Sequence, residues 1–413
     1  MLKTKGRKAN LPRSVNITTE VAGIKFKNPV LTAAGPPSRN GRALKEAFEG
    51  GAGGLVAKTI SVAPASVPRP CMVLVDRGET LSHIALAMDN RLVHVTKSAI
   101  KVPIGLLNAE LWSDLPYEQW VKTEYGVAKE TGLPLIASIG YKPEEVEKLG
   151  PLVEKSGVDG IEFSTHYLGM DPKPVVEVAK ILKESVEIPI FAKLSPHVIE
   201  VAEFAKALEK AGVDGITAIN TIGPCLHIDV ETGKPALGGE NGFGWLSGPS
   251  IRPIAVRCVA EIARSVKIPV IGVGGIMSGA NAIEHIMAGA SAVQICTGAI
   301  LEGSGIFGRV AHEIDQYLVD HGHDSIKDIC GIALKHLPPK PLRPETLLPT
   351  VDEKLCKVCG LCKKYCIYGA VELSRASKAS KPKVTIKAEK CYGCGACVSI
   401  CPTRALRFEE RTK

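Results

Sequence analysis

Short apolar runs alternate with amphipathic stretches along most of the chain. Eight of these runs are rich in β-branched residues and have the length of buried strands. They cover residues 30–34, 55–59, 135–139, 161–165, 190–194, 216–220, 270–274 and 293–297. Helix-like segments lie between them, for example at residues 143–156, 174–185, 199–211, 251–265 and 280–288. Strands that alternate with helices in this way indicate a parallel sheet with crossover helices.

Eight strand–helix units within about 300 residues favour a TIM (β/α)8 barrel, an α/β fold, over an open doubly wound sheet. A further apolar run at 102–107 lies in the long second connection, where we expect an active-site excursion. The proline-rich segment that begins at Leu337 has the composition of a stiff linker. We therefore predict a barrel at 1–336, a linker at 337–350 and a second domain at 351–413.

Two runs of cysteines with the same spacing define the second domain. They read Cys356-x2-Cys359-x2-Cys362-x3-Cys366 and Cys391-x2-Cys394-x2-Cys397-x3-Cys401-Pro402. This spacing is typical of two-cluster ferredoxins, in which the fourth cysteine of each run binds the other cluster. Structural zinc and disulfides fit the spacing poorly. Ile367 departs from the pattern, because a proline usually stands there.

The cysteine runs predict a C-terminal α+β domain of the bacterial ferredoxin type with two [4Fe-4S] clusters. We assign one cluster to Cys356, Cys359, Cys362 and Cys401, and the other to Cys391, Cys394, Cys397 and Cys366.

The composition of the chain indicates the cellular compartment in which we expect the protein. The chain has 413 residues, 45% of them hydrophobic, and no apolar run of the length that spans a membrane. Its basic start is not followed by an apolar signal core, so we do not expect export. The remaining cysteines are scattered singly, which suits a reducing cytoplasm; they are Cys71, Cys225, Cys258, Cys296 and Cys330.

The formal charge of +8 lies entirely in residues 351–413, where 14 Lys and Arg face 6 Asp and Glu. Nucleic acid could bind such a tail, but its basic residues lie between cluster ligands with few aromatics among them. Compensation of the cluster charge and docking of an acidic redox partner explain them better. We expect an acidic carrier such as ferredoxin, or a partner flavoprotein subunit, in a homo-oligomer or hetero-complex, and neither nucleic acid nor membrane as partner.

Chemistry in a TIM barrel collects at the carboxyl ends of the strands. The predicted ends carry Ala33-Ala34-Gly35, Lys58-Thr59, Ser138, Ser164-Thr165-His166, Lys193-Leu194-Ser195, Asn220-Thr221, Gly274-Gly275 and Cys296-Thr297. Most of these groups are small or polar and suit a planar, polar cofactor. Gly274 and Gly275, with Thr297 one strand later, predict a phosphate site rather than a simple turn. Lys58 and Lys193 need an anion if buried, either the edge of a reduced flavin or a salt bridge.

At this point the sequence resembles the dihydroorotate dehydrogenase family. With the appended clusters, it resembles most the FMN and iron–sulfur portion of the dihydropyrimidine dehydrogenases. The resemblance covers about residues 25–410. It rests on Leu31-Thr-Ala-Ala-Gly35, Val56-Ala-Lys-Thr59, Phe191-Ala-Lys-Leu-Ser-Pro196, Thr217-Ala-Ile-Asn-Thr221, Leu246-Ser-Gly-Pro-Ser-Ile-Arg-Pro253, Gly272-Val-Gly-Gly275 and Val293-Gln-Ile-Cys296.

The resemblance implies which residues bind FMN and substrate. For FMN they are Ala34, Gly35, Lys58, Lys193, Gly248, Gly274, Gly275 and Thr297. Ser138 and Cys296, at two further strand ends, complete the predicted cofactor site. Asn108, Asn220 and Thr221 match the positions that hold the edge of the substrate.

One strand end departs from the family pattern. Relatives carry Asn-Leu-Ser-Cys-Pro, whose Cys or Ser moves the proton, whereas this chain has Glu162-Phe-Ser-Thr165-His166-Tyr167. A threonine hydroxyl is a poor acid alone, so we predict that Thr165 acts with His166 or Tyr167; Cys225 and His227 are alternatives. We expect Glu162 to repel carboxylate substrates.

The sequence therefore predicts an FMN and iron–sulfur oxidoreductase that reduces or oxidises an activated C–C bond of a small polar, pyrimidine-like molecule. Two alternatives remain open. One is a true dihydroorotate or dihydropyrimidine dehydrogenase with a relocated base, and the other is a subunit that only relays electrons.

Overall fold

The computed structural model describes residues 15–76, 81–88, 91–100, 103–140, 142–164, 169–196, 200–337, 347–374 and 383–408. The chain divides into two compact units, Met1–Leu337 and Pro338–Lys413. The strand Thr350–Val351 belongs to the second unit, so regular structure begins at the last residue of the predicted linker. No helix among the described residues has the length and apolar character needed to cross a membrane.

The first unit is a barrel of eight parallel strands, which confirms the predicted TIM fold. Strands β1 to β8 are Val30–Thr32, Leu55–Val56, Leu135–Ile139, Gly160–Ser164, Ile190–Leu194, Gly215–Ala218, Val270–Val273 and Ala290–Ile295. A helix follows each strand; α1 to α8 are Gly41–Glu49, Tyr125–Lys129, Pro143–Lys155, Lys173–Ser185, Val201–Lys210, Arg252–Ala263, Gly279–Met287 and Ile306–His321. Neighbouring strands pair in ring order, and a parallel bridge between Leu31 and Gly54 joins β1 to β2.

The two faces of each barrel strand meet different surroundings. Ile161 and Phe163 of β4 belong to the large core under the helices. Phe191 of β5 packs in a smaller core inside the ring, with residues of a hairpin that comprises Thr19–Val21 and Ile24–Phe26. The period of two along a strand produces this division. It places Glu162 on the inner face of β4, opposite to its apolar neighbours.

Two long connections leave the carboxyl ends of β2 and β6 and meet in a four-stranded antiparallel sheet. Its strands, in spatial order, are Ile222–Leu226, Phe243–Ser247, Pro103–Asn108 and Met72–Asp76. The apolar run predicted at 102–107 is thus a strand of this excursion. A separate hairpin, Leu81–Met88 with Arg91–Ile100, extends from the first connection.

The second unit is built from two similar halves. Each half contains one short helix, Leu361–Lys364 or Ala396–Ser399, and each helix follows a glycine with φ near +80°. The strand pairs are Thr350–Val351 with Leu406–Arg407, and Val371–Ser374 with Lys383–Ile386. Cys391 stands 35 positions after Cys356, and the same offset relates the other three cysteines of the two runs. The repeated cysteine spacing is therefore a repeat of structure as well.

Candidate active site

A cavity of about 520 Å³ opens at the carboxyl ends of the barrel strands. The four-stranded antiparallel sheet of the two long connections, which we call the excursion sheet, completes the wall of this cavity. It contributes Met72, Leu106, Asn108, Trp245 and Ser247. The side-chain amide of Asn108 donates to the carbonyl of Trp245 at 2.9 Å and fastens the two excursions together. The barrel and both long connections thus form one site.

Most residues predicted to bind the cofactor or the substrate lie in the wall of this cavity. For the cofactor these are Ala34, Gly35, Lys58, Lys193, Gly248, Gly274, Gly275, Cys296 and Thr297; for the substrate, Asn108, Asn220 and Thr221. Ser138 differs, because it is fully buried and its hydroxyl lies 2.8 Å from that of Thr59, which does line the cavity. Its place is behind the wall, as a support for Thr59.

The predicted phosphate corner has a backbone that only glycine adopts easily. Gly274 and Gly275 have φ of +125° and +74°. A Cβ on Gly275 would lie 2.5 Å from Cβ of Arg252, so the loop has no room for a side chain. Nearby, the Thr297 hydroxyl donates to that of Ser247 at 2.8 Å. The corner offers backbone amides, which are the donors that bind phosphate at such turns.

A buried histidine supports this corner from behind. His285 is fully buried, and its Nε2 lies 3.1 Å from the carbonyl oxygen of Gly274. Burial lowers the pKa of His285 to about 4. The ring is therefore neutral at pH 7, and Nε2 can donate to Gly274 as an uncharged group.

Lys58 is paired with an acid that the sequence analysis did not assign. Its Nζ lies 2.6 Å from Oε2 of Glu110, which also lines the cavity. The Cys71 thiol lies 3.4 Å from the other carboxylate oxygen, and burial, followed by this contact, raises its pKa. Glu110 stands two positions after Asn108, at the end of the extra apolar run; that placement was the only sequence signal for it. It gives the substrate part of the cavity a carboxylate.

Lys193 is held by a second buried acid, Glu162. Its Nζ lies 3.2 Å from Oε1 of Glu162, and the amide of Gln294 donates to Oε2 at 2.7 Å. Glu162 is fully buried and does not line the cavity, whereas Lys193 and Gln294 do. The expectation that Glu162 repels carboxylate substrates is therefore wrong in its geometry. Glu110 and Glu145, by contrast, do line the cavity.

The predicted proton-transfer residues Thr165, His166 and Tyr167 lie outside the described residues. The strand that leads to them ends at Ser164, which lines the cavity and accepts from the amide of Asn220 at 3.1 Å. The alternatives Cys225 and His227 are half-buried and do not line the cavity. Burial raises the pKa of Cys296, which does line it, to about 11, so this thiol is neutral at pH 7.

In the second unit, four predicted ligands surround one small hollow. Cys366 lines it together with Cys391, Cys394 and Cys397. This is the set that the crossed assignment gives to one cluster. Among the described residues, no three His, Cys, Asp or Glu side chains are close enough to hold a single metal ion. Thiolates around a four-iron cluster stand apart, since each binds a different iron.

Backbone amides point at several of the cysteine sulfurs. The amide of Ala370 donates to Cys366 at 3.3 Å, and that of Ala405, in the equivalent position, donates to Cys401 at 3.2 Å. Burial raises the pKa of Cys401, but the surrounding amide and hydroxyl donors outweigh it, so the pKa is lowered. Such donors stabilise thiolates, and the chemistry of this donor set fits an iron–sulfur cluster.

Comparison with known proteins adds two family matches. The family described as dihydroorotate dehydrogenase matches residues 164–318, and the 4Fe-4S dicluster domain matches residues 355–405.

Among similar proteins are catalytic subunits of dihydroorotate dehydrogenase B (NAD(+)). That of Pyrococcus abyssi is 36% identical over 323 residues, which are 76% of this chain and 97% of that protein. That of Pyrococcus furiosus is 35% identical over 332 residues, which are 78% of this chain and 100% of that protein. That of Methanothermobacter thermautotrophicus is 33% identical over 328 residues, 77% and 98% of the two chains.

Proposed function

This chain belongs to the dihydroorotate dehydrogenase family, and from that membership we propose that it is an oxidoreductase dependent on FMN and two [4Fe-4S] clusters. Its class of reaction is that of the family, which acts on CH–CH bonds. The proposed substrate is a small, polar, pyrimidine-like molecule, and electrons pass between the cavity and an external carrier through the clusters.

One observation carries this proposal: a glycine corner and two lysines lie in the wall of a single cavity. Gly274 and Gly275 are suited to the phosphate, and Lys58 and Lys193 to the negative edge of a reduced flavin. When bound, FMN would supply hydride exchange with one carbon of the substrate and single-electron exchange with the clusters. The donor set and the space at the corner fit this cofactor.

The roles of the chain's own residues follow from their positions. Asn108, Asn220 and Thr221 offer amide and hydroxyl groups to the edge of a substrate. Glu110 accepts hydrogen bonds from N–H groups and disfavours a carboxylate on the substrate. A side chain near Thr165 and His166 moves the proton on the neighbouring carbon. The excursion sheet covers the cavity and limits the access of water.

The basic second unit is the proposed entry point for electrons, from an acidic ferredoxin or a partner flavoprotein subunit. The relatives named above are catalytic subunits, which supports assembly with a partner. The presence of Asn108 and Asn220 in the cavity favours catalysis over a subunit that only relays electrons. A dihydroorotate dehydrogenase with a relocated base is disfavoured by Glu110, because dihydroorotate carries a carboxylate.

Cofactor analysis tests the proposal directly. Anaerobically purified protein is expected to contain one FMN and eight irons per chain, because there are two sets of four thiolates. Gly275→Val should remove FMN and leave the irons, whereas Cys394→Ser should remove irons and leave FMN. A total of four irons in the parent, or FAD in place of FMN, would contradict the assignment.

A further inference from the structure

A buried carboxylate lies beneath the floor of the cavity and takes no part in lining it. Glu162 is fully buried, and both of its oxygens have partners, Lys193 at 3.2 Å and Gln294 at 2.7 Å. Lys193 also lies 3.5 Å from the amide oxygen of Gln294. The three side chains come from β4, β5 and β8, so they bridge the inside of the barrel.

This network has the interior apolar core on one side and the cavity on the other. Phe191 precedes Lys193 by two positions on the same inner face and belongs to the interior apolar core. Lys193 and Gln294 reach the cavity, whereas Glu162 stays behind them. Lys193 is therefore the group through which Glu162 acts on anything bound above.

The effect of Glu162 on a group bound in the cavity depends on the combined charge of Glu162 and Lys193. A lone buried ammonium would strongly stabilise negative charge in the cavity, because Coulomb energies are large where water is excluded. A carboxylate in contact with that ammonium offsets most of the field. Burial of such a pair is costly, and it is weak as a source of stability. A role in setting the local potential explains why the acid is present.

We propose that Glu162 is a positioning residue that holds Lys193 and offsets its charge, and thereby lowers the reduction potential of the bound flavin. The proposal rests on the proposed function, since it requires FMN above Lys193. A lower potential makes the reduced flavin a stronger donor. The network therefore poises the site to reduce its substrate with electrons from the clusters.

Glu162→Gln in the full-length holoprotein is the main test, because it removes the charge and keeps the shape. The flavin potential, measured by anaerobic titration, should become more positive. Sulfite, whose addition to flavin places negative charge on the ring, should bind at least tenfold more tightly. Glu162→Asp keeps the charge and should remain close to the parent in both measurements.

Asp214→Asn is the matched control. It removes the acid of another ion pair in the same barrel, in which Lys183 Nζ lies 2.8 Å from Asp214 Oδ2. It should leave the flavin potential and the sulfite affinity unchanged. Glu162→Asn serves as a second neutral variant if Glu162→Gln does not fold.

The outcomes separate the two proposals. Neutral variants that keep the parental potential and sulfite affinity would overturn the role of Glu162 alone. Loss of flavin from both neutral variants would also overturn it, because the acid would then serve binding. A parent protein without flavin would overturn the proposed function, and this inference with it.

Discussion

Lys58 and Glu110 form an ion pair in the wall of the cavity, with 2.6 Å between Nζ and Oε2. Two opposite charges at this distance are nearly neutral together. We expect a substrate that brings a carboxylate to be repelled by Glu110, whereas a substrate with N–H groups can hydrogen-bond to Glu110. We therefore expect the cavity to favour uncharged or cationic molecules.

Replacing this acid should relax the selectivity. In Glu110→Gln, we expect kcat/KM for reduction of a carboxylate-bearing pyrimidine to rise about tenfold or more relative to its uncharged analogue, because a like charge is gone. Rapid-mixing measurement of reduced-flavin oxidation by each substrate gives the ratio. Glu144→Gln, an exposed acid on α3, is the control; an equal change there would point to a general charge effect.

Paired cysteine substitutions should reveal which thiolates share a cluster. Cys366→Ser with Cys391→Ser damages one cluster under the crossed assignment, so about four irons should remain. Cys366→Ser with Cys362→Ser damages both, so few should remain. Iron analysis and spectroscopy of the reduced protein distinguish the two, and Cys330→Ser in the barrel should keep all irons. The reverse pattern would show that each run holds its own cluster.

The basic second unit should make electron entry sensitive to salt. Reduction by an acidic ferredoxin should slow as ionic strength rises, because screening weakens the docking. Lys363→Glu with Lys364→Glu, both exposed, should slow it at low salt and converge with the parent at high salt. Lys173→Glu on the barrel is the control. A parent rate that does not change with salt would argue for another donor.

His285 should make the barrel lose stability in acid. Its pKa of about 4 in the folded chain lies below the ordinary value, so the unfolded state takes up the proton first as pH falls. From pH 7 to pH 4 this linkage removes roughly 3 kcal/mol of unfolding free energy. His285→Gln should lack that part of the pH dependence, and His321→Gln, on the surface, should retain it.

Urea unfolding followed by tryptophan fluorescence reports on the barrel alone, since Trp112, Trp120 and Trp245 are the three tryptophans of the chain. Parallel pH profiles of the parent and His285→Gln would show that the histidine is not responsible.

The proton-transfer prediction concerns Thr165 and His166. His166→Ala or Thr165→Val should leave FMN bound and reducible, while oxidation of the reduced flavin by substrate falls by about 10²–10⁴. Rapid mixing isolates this half-reaction from cluster electron transfer. If both variants react like the parent, Cys225 and His227 are the next residues to change.

Sequence reasoning was successful where a pattern is local. Hydrophobic runs, the cysteine spacing and the glycine corner located the eight strands, the second unit and most of the cavity wall. Observed strands β1, β2, β6 and β8 end two or three residues earlier than predicted, because the last residues of the predicted runs already belong to the segments around the cavity.

Sequence reasoning was less successful where the role of a residue depends on a partner that is distant in the sequence. Glu162 is bonded to Gln294, which is 132 positions away, and no periodicity reveals that contact. Glu110 meets Lys58 only because the excursion folds back over β2. Whether a charged side chain lines the cavity or lies behind its wall is decided only when the barrel closes.

Under the proposed ligand assignment, the crossing of Cys366 and Cys401 between the halves of the second unit determines when each cluster site becomes complete. A nascent chain that ends before Cys397 then has no complete set of four thiolates, although it can already contain as many as six of the eight cysteines. One set becomes complete only once Cys397 has been synthesised, and the other only once Cys401 has been synthesised. A chain truncated before Cys397 would therefore keep the barrel and its proposed FMN site but would have neither complete cluster site, so its flavin would lack the proposed route to the electron donor.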